Sequence, residues 1–127
     1  MTVRERALDV LYLLSLSREQ QAACFPSWAP FPSEIAMDNE LVTKDLLSGA
    51  GATDFDEART NLSDFAELIA IDAMFALASP DADLWAKTPK DWLWLDEAIR
   101  SVARRGVERL NVGPRRINEN TTWVPGG

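Results

Sequence analysis

The sequence predicts an all-α fold, a single-domain bundle of about five helices with a proline-rich loop and an irregular C-terminal tail. Four stretches repeat apolar residues at three- and four-residue spacing behind helix start signals, and none shows sustained strand alternation bounded by hairpin turns. A chain of 127 residues suits one domain around one core. With 46% apolar and 26% charged residues its composition is that of a folded protein, which argues against disorder for the bulk of the chain. The helical domain is expected over residues 1–111 and the tail over 112–127.

Thr2 and Glu5 form a capping box ahead of Val3, Ala7, Val10, Leu11 and Leu14, which share one face of a first helix. Ser17 with Gln20 repeats the device and starts a short second helix ending near Cys24. From Phe25 to Ser33 three prolines in seven residues push their predecessors out of helical geometry, so an extended loop is expected there. Its aromatics Phe25, Trp28 and Phe31 suit either a partner motif or a stiff loop folded over the core, and the second is favoured because such motifs usually lie in disordered tails. Ser33 then caps a helix from about Glu34 to Ser48, stopped by Gly49 and Gly51. Asp54 with Glu57 opens the next helix, read as one element from about Phe55 to Ala78. On it Phe55, Ala58, Leu62, Phe65, Ala66, Ile69, Ala73, Ala76 and Leu77 share a face. From Leu68 onward Leu68, Ile71, Met74 and Phe75 make the other faces apolar too, which predicts the central, most buried helix. Thr88 and Pro89 mark the start of a last helix running to about Leu110, with Trp92, Leu95, Ile99, Val102, Ala103, Gly106 and Leu110 as its core stripe. Residues 112–127 lack periodicity and dock, if at all, through Ile117 and Trp123.

Histidine is absent, which removes triads, histidine general bases and nearly every zinc or haem site. No glycine-rich phosphate loop or dinucleotide turn occurs. The single cysteine, Cys24, can form no internal disulfide and without a base nearby reads as a small buried hydrophobe. No apolar run is long enough to span a bilayer and the first residues lack a secretory pattern, so a cytoplasmic protein without cofactors is expected.

Between Glu34 and Asp72 ten acidic residues stand against two basic ones, a local charge of −8 that accounts for the whole balance of −7. Glu34, Asp38 and Asp45 fall within about 40° on the third helix, bordered by Leu41 and Met37 rather than by lysines. Glu40 alone has a helical partner, Lys44. Asp56 and Glu57 follow at the next helix start, where negative charge is locally favourable. The stripe suits a solvated face or a surface for a basic partner. Trp94, about 160° from Trp92, suits either an anchor in such a partner or packing within the domain.

Asp72 lies among Leu68, Ile69, Phe75 and Ala76, so it is expected to be buried and bonded to Arg100, Trp92 or Trp85. A magnesium-dependent nucleotide hydrolase built only from carboxylates is the rival class. It has a single candidate pair, Asp64 with Glu67, and no second pair on the last helix. Six arginines from Arg100 to Arg116 form the one basic cluster, better read as pairing with the acidic helices than as a nucleic-acid face.

With the helices placed, the chain resembles small bacterial helical immunity proteins of contact-dependent and polymorphic toxin systems. The likeness runs through Phe25-Pro26, Asp38-Asn39-Glu40-Leu41-Val42 with Asp45, Leu84-Trp85, Trp92, Ile99-Arg100, Ala103 and Leu110, over roughly residues 8 to 110. The resemblance implies a tight, non-enzymatic binder of one basic toxin domain, often a nuclease, with Asp38, Glu40 and Asp45 as contacts. Together with the acidic stripe it points to Glu34, Asp38, Glu40, Asp45, Asp56, Glu57 and Trp94 as partner-binding residues. A DNA-mimic inhibitor of a basic DNA-binding enzyme remains the alternative binding reading.

Overall fold

In a computed structural model, which describes residues 2–78, Trp85 and residues 93–115, the chain is all-helical. Both predicted capping boxes form. In α1 (Val3–Ser15) the Glu5 N–H donates to the Thr2 side chain and the Thr2 N–H to Glu5; in α2 (Arg18–Ala23) Ser17 and Gln20 exchange the same bonds. Each box satisfies two donors that a helix start leaves orphaned.

The proline segment is shorter as a loop than its composition suggests, because α3 (Phe31–Ser48) begins three residues before Glu34. Pro32 sits in the first turn, where its missing N–H has no helical partner to lose. Pro30, not Ser33, is the capping residue, and Ser33 Oγ instead donates to the Pro30 carbonyl. Phe25, Ala29 and Phe31 are buried and the two phenyl rings stack at 6.1 Å, so the loop does fold over the core. At the far end Gly49 is left-handed, φ 73°, and the Ala50 N–H returns to the Asp45 carbonyl, as a helix C-terminus requires.

The segment read as one long helix is two, α4 (Phe55–Asp64) and α5 (Ala66–Ala78), divided at Phe65. Phe65 leaves helical geometry and is fully buried, with the Arg4 guanidinium over its ring at 5.1 Å. The Arg109 guanidinium donates to the Asp64 carbonyl at 2.7 Å and satisfies the end of α4. The break resets the helical face, so Leu68 and Ile71 are buried while Ala66, Ala73 and Ala76 are exposed. Phe55 and Leu77, both assigned to the core from the sequence, are 79% and 72% exposed.

Nor is α5 the most buried helix; that place belongs to α1, which packs against both α3 and α6 (Leu93–Leu110). Leu95, Ile99, Ala103 and Gly106 of α6 are buried as expected, whereas the helix start at Thr88 and Pro89, Trp92, and tail docking through Ile117 and Trp123 lie outside the described residues. Gly106 lets the backbones approach, since a Cβ there would meet Leu11 Cδ1 at 3.0 Å. The carbonyls at the end of α1 and just beyond it are covered by Gln21 Nε2 on Leu13, Arg100 Nε on Leu16 and Arg104 Nε on Ser15, at 2.9 to 3.1 Å. Cationic donors suit the negative end of a helix dipole. Asn111, with φ 54°, closes α6, and the Val112 N–H reaches the Val107 carbonyl at 2.9 Å. No described helix is long and apolar enough to cross a membrane.

Candidate functional site

The outer face of α3 carries Met37 and Leu41, 51% and 52% exposed, and Asp38 lies at its edge within reach of the Arg6 charge of α1. Glu34 lies one turn before Asp38. Shielding from water, reinforced by the Glu34 charge, holds the Asp38 carboxyl above its usual range, and the Arg6 charge only offsets this. Two carboxylates therefore stand together on this face next to exposed apolar surface.

Asp45 does not complete the stripe as an unneutralised acid. Its Oδ2 accepts from Arg6 at 2.5 Å, because α1 crosses α3 and brings a cation that helical periodicity alone does not reveal. Glu40 is paired with Lys44 at 3.1 Å as its spacing predicts. Asp56 binds Arg59 at 3.3 Å, and Glu57 accepts from the Thr53 hydroxyl and N–H. Those two bonds hold the Glu57 carboxyl below its usual range. The first turns of α4 lie by the C-terminal end of α3, where Ala58 approaches Gly49, so Asp56 and Glu57 are about 16 Å along the axis from Asp38. Trp94 stands apart too, 60% exposed on the first turn of α6, whose packing partners are α1 and α5.

Asp72 is half-buried rather than enclosed, and among the described residues it accepts no hydrogen bond. It lines an open groove of about 540 Å³ between α3 and α5, with Met37, Glu40, Lys44, Phe75 and Trp85 around it. Its apolar neighbours Leu68, Ile69, Phe75 and Ala76 predict burial, but Ala76 is exposed and Asp72, Phe75 and Ala76 line the open groove. Burial and the Glu40 charge hold the Asp72 carboxyl above its usual range, against the pull of Lys44.

Among the described residues the buried acid is Asp96. Its two oxygens accept from Arg18 Nε at 2.8 Å and Arg100 Nη2 at 2.7 Å, so the arginine expected beside Asp72 serves a different carboxylate. The signal was present: at 100° per residue Asp96 lies within about 20° of Ala103 on the core stripe, four residues before Arg100.

Three more arginines are engaged internally. Arg4 binds Asp64 at 2.9 Å, Arg109 binds Glu67, and Arg115 binds Asp9. The candidate metal pair is thus held by two arginines and split by the helix break. Among the described residues no group of three or more acidic or cysteine side chains is placed to hold a metal ion. No protein-family model, curated protein or solved structure matches the chain.

Proposed function

We propose that this protein is a binding protein that neutralises a basic partner, an immunity-type inhibitor covering a cognate toxin domain. The observation that carries this reading is the pair Glu34 and Asp38 on the solvent face of α3 beside exposed Met37 and Leu41. A carboxylate held above its usual range loses free energy in the isolated protein, and a cation brought against it recovers that loss. Exposed apolar side chains next to it supply contact area that releases slowly once dry.

A hydrolase built on Asp64 and Glu67 gains no support, since both carboxylates are bound to arginines. The resemblance to immunity proteins adds the class of partner, a basic toxin domain.

The test uses the partner captured from the native host, with association measured at two salt concentrations. Asp38→Lys with Glu34→Lys is expected to slow association at low salt by about tenfold or more and to flatten its salt dependence, because long-range attraction acts on encounter and is screened by ions. Unchanged association at low salt would leave the face as a solvated surface. A captured DNA-binding enzyme that competes with DNA for the chain would identify a DNA mimic instead of an immunity protein.

A further inference from the structure

We propose that the groove between α3 and α5 seats a lysine or arginine side chain of the basic partner, its charged head at the Asp72 carboxylate and its alkyl stem along Phe75, Trp85 and Met37. The nature of the occupant rests on the reading of the protein as a binder of a basic partner; the groove itself is a separate observation. Its volume, about 540 Å³, falls in the range of sites that enclose small ligands, roughly 300–1,000 Å³. One wall is aromatic, with the Phe75 and Trp85 rings stacked at 5.7 Å and an interplanar angle of 22°. Aromatic faces attract cations, and guanidinium groups stack on them.

The charge at the groove is arranged to receive a cation. Lys44 is held back on α3 by its ion pair with Glu40 and makes none with Asp72. Asp72 is left partly dehydrated, near a like charge and without a bonded cation among the described residues. Met37 borders both this groove and the Glu34 and Asp38 edge of α3, so a partner surface covering Met37 reaches the two together. Other occupants lack one of these matches: an anion meets Asp72 and Glu40, and an uncharged apolar segment leaves Asp72 dehydrated against it.

The experiment titrates the isotope-labelled full chain with n-propylguanidinium, an arginine side chain without its backbone, and with uncharged n-propylurea. The cation is expected to shift the amide resonances of Met37, Glu40, Asp72 and Ala76 and the Trp85 indole, and to bind about tenfold more tightly than the urea, as charge-assisted hydrogen bonding requires. Asp72→Asn should weaken the cation by a similar factor of about ten, and Lys44→Gln, which removes a competing charge, should tighten it. Circular dichroism checks that both variants keep their helices. Equal binding of the two probes, shifts confined to Glu34 and Asp38, or an unchanged affinity in Asp72→Asn would overturn the proposal. The two readings fail separately. If groove binding is lost while Asp38→Lys still slows the partner, the anchor is wrong and the function stands; if the groove binds and Asp38→Lys changes nothing, the function is wrong.

Discussion

Asp96 sits between Arg18 and Arg100 with both oxygens engaged, so its removal leaves two guanidinium groups facing each other with little water to screen them. Breaking a buried ion pair from one side typically costs about 3–5 kcal/mol, and Arg100 keeps its bond to the Leu16 carbonyl. Asp96→Ala is therefore expected near the lower figure, about 3 kcal/mol in urea denaturation; a loss under about 1 kcal/mol would show that the triad contributes little. Asp38 has the opposite sign. Its folded-state value lies above the unfolded one, so the folded chain holds this proton to higher pH, and stability is lost as pH rises through that interval. Asp38→Asn should raise the urea midpoint at pH 7, and the gain should vanish below about pH 3, where the carboxyl is protonated in both states. Equal gains at both pH values would mean that the asparagine acts through packing.

The starts of α1 and α2 are legible because their chemistry is local: Thr2 with Glu5 and Ser17 with Gln20 each close within three residues, whereas α3 starts behind Pro30 rather than at the expected Ser33 cap. The break at Phe65 is not legible, since neither proline nor glycine marks it and its supports are distant in the chain. Arg4 covers the Phe65 ring and bonds Asn61 at 2.8 Å, while Arg109 covers the Asp64 carbonyl. An error there propagates, because a helical face carried past Phe65 is rotated, which is why Leu77 falls outside the core; Asp72 differs for another reason, since its apolar neighbours on α5 border an open groove. The acidic stripe on α3 was read correctly within the helix, but the cation at Asp45 comes from α1, which periodicity cannot see. Phe65→Ala is expected to cost about 3–5 kcal/mol, the usual range for emptying a core aromatic site, as measured by chemical denaturation. A smaller loss with a longer α4 detected by amide exchange would show the two helices merging once the wedge is gone.

At the scale of the whole molecule the arginines of α1 reach acids of α3 and α4, Arg109 of α6 reaches an acid of α5 and Arg115 reaches Asp9 of α1, so the net charge of −7 coexists with extensive internal pairing. The Glu34 and Asp38 edge and the groove face outward, one on either side of Met37. The described helix closest to the start of the chain packs against the one closest to its end. Leu11 lies under Gly106, and Arg104 covers Ser15 from 89 residues away. Bringing such distant segments together must be accomplished before their contacts repay the lost chain freedom, which slows folding relative to bundles of neighbouring helices. Stopped-flow refolding is expected in the millisecond range rather than in microseconds. On the ribosome the same geometry means that α1 emerges long before α6 exists to cover it. Its Leu11 face thus stays uncovered until α6 is made, as a segment that a chaperone can grip in the meantime.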